Sequence, residues 1–157
     1  MTVRAGCPQR TPAVEATVAH PASLVISLPL EYTAFCLRHQ EPYHRYSHVR
    51  LRHEAASRNA VAAALGDLAL NWDGALRSAC LPAVAWRLLR ARVQAAARAN
   101  DPRPPDTLHR AWPADQADAL ILRYRLSLTT DQSAHLMGVD PAVIATHLRT
   151  ALRDLPR

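Results

Sequence analysis

The sequence predicts an all-α protein built from two small helical units joined by a Pro-rich linker. Apolar residues make up 49% of the 157 residues but aromatics only 5%, so the apolar share is mostly Ala, Leu and Val. Ala and Leu are strong helix formers, and only four Gly interrupt them. The twelve Pro gather near the N-terminus, around residue 42 and across residues 102–113, as punctuation between helical blocks.

Residues 1–28 hold three Pro and show no helical periodicity, which reads as a flexible tail. The stretch from Leu24 to Leu30 is mildly apolar, but Pro29 and the long polar lead argue against a signal peptide. Residues 29–98 form the first unit. A helical block runs from Leu30 to Leu51, with Pro42 expected as an early kink or break. A second helix spans Glu54 to Leu70, where Ala60, Val61, Ala64, Leu65 and Leu68 recur at three- and four-residue spacing, and Asn71-Trp72-Asp73-Gly74 closes it. A third helix follows Pro82, carrying Val84, Trp86, Leu88, Leu89 and Val93 with Arg87, Arg90 and Arg92 between them. Residues 99–111 have several Pro and no core pattern, and are read as the linker.

Residues 112–157 form the second unit. Pro113 opens a helix, ADQADALILRYRL, whose Ala117, Leu120, Ile121 and Tyr124 fall on one face. Leu128 packs before a new start signal, Thr129-Thr130-Asp131, whose oxygens suit a helix N-terminus. That helix reaches only Met137. Gly138 follows, a residue for which a left-handed turn is cheap. Asp140 as N-cap and Pro141 at the first helical position start the last helix, with an apolar stripe of Ile144, Leu148, Ala151 and Leu155. Ala134 is small, as a close helix crossing requires. Short helix, tight turn and second helix make a helix-turn-helix, the unit that lays its second helix in a major groove. A plain αα-hairpin is the bland alternative, and the agreement of caps, turn and crossing residue disfavours it.

On these residues the chain resembles a known family. WPADQADALILRYRLSLTTDQSAHLMGVDPAVIATHLRTALRDL is similar, without gaps, to region 4 of RNA polymerase sigma factors of the extracytoplasmic-function group, actinobacterial type. FCLRHQEPYHRYSHVRLR, LALNW and LPAVAWRLLRARV look like region 2 of the same group. The resemblance covers about residues 30–98 and 112–155. It implies a cytoplasmic transcription regulator whose partners are promoter DNA, RNA polymerase core and a regulatory protein such as an anti-sigma factor. It implies DNA contacts at Thr130, Val143, Thr146, His147, Arg149 and Arg153, and polymerase or promoter contacts at Tyr46, Arg58, Asp67 and Trp72. The chain also departs from the family. Asp67 is the only acid in SRNAVAAALGDL, where the family carries acidic and glutamine positions that dock polymerase. Ser133 stands at a core position taken by isoleucine, where a hydroxyl needs a partner. Ala145 replaces an expected lysine. The rival expectation is therefore a degenerate sigma-like protein that binds a partner protein without recognising promoters on its own.

Charge sharpens that choice. The formal net charge is +6, and every basic residue is Arg. Residues 29–98 carry ten Arg against five acids, whereas residues 99–157 carry seven of each. The excess cation lies outside the helix-turn-helix, so few groups there neutralise phosphate and binding should be weak and easily salted off. Arg149 could bridge guanine or be a solvated helix-face residue; both readings stay open. Arg45, Arg50, Arg52, Arg58, Arg87, Arg90 and Arg92 could form a basic face with aromatic interleaving, although Trp72 and Trp86 read better as core. Cys36, His39, His44, His48 and His53 fall in one stretch but without metal-ligand spacing, so no metal or cofactor is expected. Cys7, Cys36 and Cys80 suggest free thiols rather than a disulfide framework. No apolar run reaches about 18 residues, so no membrane partner is expected. With no nucleophile motif, phosphate loop or paired carboxylates, an enzyme is not expected either.

Overall fold

The computed structural model describes residues 28–100 and 106–155. The expected tail up to residue 27, Cys7 and the centre of the expected linker (101–105) lie outside the described residues. Among the described residues every regular element is helical: α1 (Leu30–Leu51), α2 (Glu54–Leu70), α3 (Trp72–Leu76), α4 (Leu81–Asn100), α5 (Leu108–Ala111), α6 (Ala114–Leu120) with a π-helical turn (Ile121–Arg125), α7 (Thr130–Met137) and α8 (Pro141–Arg153). No helix here is long and apolar enough to cross a membrane.

α1, α2 and α4 pack on one another, and α3 lies against α2 and α4. α1 continues through Pro42 instead of breaking there. A proline in a helix removes one donor and crowds the carbonyl four residues back. Phe35, His39, Tyr43 and Tyr46 on both sides of it are buried on one face, and tertiary packing outweighs that local cost. His39 stacks on Phe35 at 3.9 Å and Tyr43 meets Trp86 edge-on at 6.0 Å between ring centroids. In α2 the buried stripe is Ala60, Val61, Ala64 and Leu68, as periodicity predicts. The Asn71–Gly74 stretch is not a plain stop but leads into α3, and it buries Trp72.

The helix-turn-helix forms with the capping read from its sequence. The Thr129 hydroxyl accepts from Gln132 N, and the Gln132 side chain accepts from Thr129 N, at 3.1 and 2.9 Å. Gly138 ends α7 in the left-handed region at φ 67°, and Asp140 accepts from Ala142 N at 2.8 Å to start α8. The Ser133 hydroxyl, fully buried, donates to Thr129 O at 2.9 Å and so finds the partner its position demands.

Two expectations on this half need correction. Tyr124 does not face the core; it is 57% exposed, while Leu122 is buried. The cause is the π-helical turn, where Leu126 N donates to Ile121 O, five residues back, at 3.0 Å. An extra residue per turn rotates the face that points inward. Leu155 is also exposed, because α8 ends at Arg153 and the stripe of Ile144, Leu148 and Ala151 stops with it.

Buried residues from α1 to α4 and from α6 to α8 form one continuous core, so the two expected units are joined by packing as well as by chain. α7 lies against α4, and the π-helical turn against α1. At the turn of the helix-turn-helix, a Cβ added to Gly138 would sit 2.2 Å from Ala83 N. Glycine here serves both the backbone conformation and the close approach of α4. The segment read as linker also differs from expectation. α4 continues to Asn100, and residues 106–111 are folded, with Asp106 buried and Leu108 against the core.

Candidate nucleic-acid interface

α8 buries Ile144, Leu148 and Ala151, which turns the opposite face outward. On that face Thr146 Oγ1 donates to Ala142 O at 2.9 Å, and Arg149 Nη2 donates to Thr146 Oγ1 at 3.3 Å. Arg153 reaches only Asp154, at 3.5 Å. Thr146, Arg149 and Arg153 are exposed, so three of the expected contacts share one open helix face. Val143 and His147 lie on its flank and line a groove against α4, while Thr130 is half-buried at the start of α7. An α-helix presenting one polar face fits a major groove, yet this face offers only two guanidiniums.

The four residues expected to contact polymerase or promoter are not brought together. Tyr46 is fully buried and Trp72 is 6% exposed. Both serve the core, and neither is open to a partner in this arrangement. Arg58 is exposed but pairs with Glu54 one turn back at 2.7 Å. Asp67 is held by Arg92 through bonds of 2.6 and 2.7 Å, and the neighbouring guanidinium keeps its carboxyl below the usual range.

The expected basic face is likewise dispersed. Arg50 and Arg90 turn inward and Arg92 pairs with Asp67. Arg45 donates to Leu126 O at 3.0 Å, behind the π-helical turn. Arg87 is exposed and forms no ion pair among the described residues. The four histidines between His39 and His53 each face a protein group. His39 faces Phe35 O at 2.9 Å, His44 and His48 face Glu54 at 3.2 and 3.6 Å, and His53 caps α2 by accepting from Ala56 N.

What sequence reasoning missed is the polar network behind the helix-turn-helix. Asp118 of α6 is fully buried. Its Oδ1 accepts from Tyr46 Oη at 2.6 Å and from His109 Nε2 at 2.7 Å. Its Oδ2 accepts from Trp86 Nε1 at 3.3 Å and from Arg90 Nη2 at 2.6 Å. Asp106 faces Arg50 Nε at 3.0 Å and His109 Nδ1, and accepts from Leu108 N at 2.9 Å. Arg50 also donates to Tyr46 Oη at 3.0 Å and to Gln94 Oε1 at 3.1 Å. The network therefore ties α1, α4, α5 and α6 together.

Its protonation follows from geometry. His109 has a carboxylate at each ring nitrogen, and an imidazole donates from both nitrogens only as imidazolium. Burial opposes that charge, but the bonds to Asp106 and Asp118 outweigh it, and the pKa of His109 lies above the ordinary value. Burial likewise opposes ionisation of Asp118, yet His109 and Arg90 hold its carboxyl below the usual range. One signal was present in the sequence: Asp118 sits between Ala117, Ala119 and Leu120, an acid inside an apolar run. Asp106 and His109 carried none, because the Pro-rich segment around them has no periodicity.

Comparison of the chain with known protein families, with curated proteins and with solved structures finds no match.

Proposed function

We propose that this chain is a sigma-factor-like, DNA-binding transcription regulator that reads a promoter element through α8 and contacts RNA polymerase core. The supporting observation is the helix-turn-helix itself: two capped helices about a left-handed Gly138, with Thr146, Arg149 and Arg153 together on an open face. Arg149 has the reach to bridge a guanine edge, and Thr130 lies at a helix N-terminus where phosphate is favoured. The resemblance to sigma regions 2 and 4 supplies the polymerase as partner and leaves a regulatory protein as a further one.

A second reading has an observation of its own. Tyr46 and Trp72 are inside the core, and the two acids of α2, Glu54 and Asp67, are both already paired. A protein-binding regulator without autonomous promoter recognition fits those facts.

Two measurements on the purified full chain separate the readings: co-purification with core polymerase, and a DNA shift titrated with salt. Retention on core together with promoter-dependent transcription establishes the first. Loss of both, with a stable complex to another protein, establishes the second. Within the first reading, Arg149→Ala should weaken DNA binding by roughly tenfold, the worth of one good base contact; unchanged affinity removes Arg149 from the interface.

A further inference from the structure

The groove between α4 and α8 encloses about 260 Å³. From α4 it is lined by Trp86, Arg87 and Arg90, and from α8 by Val143 and His147. Asp115 of α6 also lines it, but that carboxylate accepts from Arg90 at 2.8 Å. Arg90 further donates to Asp118 at 2.6 Å, so its charge is already answered twice. Arg87 is different. It is exposed on the groove rim with no acidic partner among the described residues.

We propose that this groove seats a backbone phosphate of the DNA lying along α8, with Arg87 as its guanidinium partner and His147 as a second hydrogen-bonding group. The inference rests on the DNA-binding reading above and adds a contact that the helix-turn-helix does not contain. Three facts carry it. Val143 and His147 belong at once to the flank of the reading helix and to the groove, so DNA along α8 passes its mouth. An uncompensated guanidinium is the side chain that best matches a phosphate, often through two parallel bonds. The charge balance also points to α4, since residues 99–157 carry as many acids as Arg while residues 29–98 hold the surplus. The phosphate-neutralising charge that α8 lacks is thereby supplied by another helix. It reaches α8 because Gly138 lets the turn close on Ala83.

A phosphate contact positions the protein and carries no sequence information, so the probe is a fluorescent duplex of random sequence, read by anisotropy across a salt series. Arg87→Gln should lower affinity on the order of fivefold at low salt and reduce the slope of log affinity against log salt by about one. Arg87→Lys should regain part of the affinity, since the charge returns without the planar fork. Arg98→Gln removes an equal charge from α4 about 16 Å further along the helix, and its slope should match wild type. Circular dichroism and melting of the Arg87 variants should match wild type, because Arg87 is exposed.

The inference is overturned if Arg87→Gln keeps the wild-type affinity and slope while Arg149→Ala is impaired; α8 then binds DNA without the groove. It is equally overturned if Arg98→Gln reproduces the full Arg87→Gln effect, which would make the loss one of net charge. If wild type binds no duplex at any salt, the DNA-binding reading fails and takes the groove with it.

Discussion

The network around Asp118 and the outer face of α8 both consist of polar side chains on helices, yet they work in opposite ways. In the network the charges are buried or half-buried and paired: Asp118 receives bonds from Tyr46, His109, Trp86 and Arg90 and lies among apolar side chains. On α8 the side chains are wet and nearly unengaged, with Thr146 and Arg149 held by single long or local bonds. A buried charge costs several kcal/mol to desolvate and is tolerated only with partners of good geometry. An exposed one costs little and is left to meet a ligand. Arg residues of one chain thus serve as structure in one place and stay open to solvent in another, and burial decides which.

Removing the centre of the network is the strongest way to test that contrast. Asp118→Ala should destabilise the fold by about 3–5 kcal/mol, because Arg90 and His109 each lose one of two carboxylate partners and the buried Tyr46 hydroxyl and Trp86 N–H lose their acceptor. Urea unfolding followed by circular dichroism measures it. A loss below about 1 kcal/mol would mean that the network adds nothing beyond surface pairing.

Gly138→Ala should come next, at roughly 2 kcal/mol, since it combines a positive φ with a steric clash on the α4 backbone. If docking of the turn on α4 is what brings Arg87 to α8, this variant should also flatten the salt slope of DNA binding. A destabilised protein with an unchanged slope would separate the two effects.

The smallest expected effect is a pH dependence. The folded pKa of His109 is raised above its ordinary 6.5, so its contribution is complete below that value and is lost as pH rises through the folded value. The carboxyls of Asp106 and Asp118 are lowered from 3.8, so their contribution is complete above that value and is lost as pH falls through the folded values. Urea midpoints should therefore hold between those limits and fall outside them. His109→Gln should abolish the alkaline fall and shrink the acid one, because His109 is the leading cause that lowers both carboxyls; an alkaline fall that persists would assign it to another group.

Much of this was legible before any coordinates. Asp140-Pro141 and Thr129 marked helix starts because side-chain oxygens and a fixed proline φ act locally, on the nearest few residues. Gly138 marked the turn for the same reason. Legibility failed where the cause was distant. For Pro42 the sequence predicts a kink or break because its local cost is visible while the aromatic packing that carries the helix through it is not. Tyr124 was placed on the inner face because a 3.6-residue period was carried through a turn that the fold winds more loosely. Within the candidate interface, the residues of α8 come from the resemblance to sigma region 4, whereas the role proposed for Arg87 depends on α4 lying beside that helix.

The sequence by itself determined the helical class, the bounds of most helices and the capped turn between α7 and α8, since these depend on propensity, periodicity and hydrogen bonds within one or two turns. Tertiary structure alone decided which Arg are structural and which are open. It also decided that Tyr46 and Trp72 face inward and that Asp106, His109 and Asp118 meet at all. Those outcomes rest on contacts between distant residues, 72 positions apart for Tyr46 and Asp118 and 81 for Arg45 and Leu126. A carboxylate and its partners become a network only when burial removes the water that would otherwise solvate each of them separately.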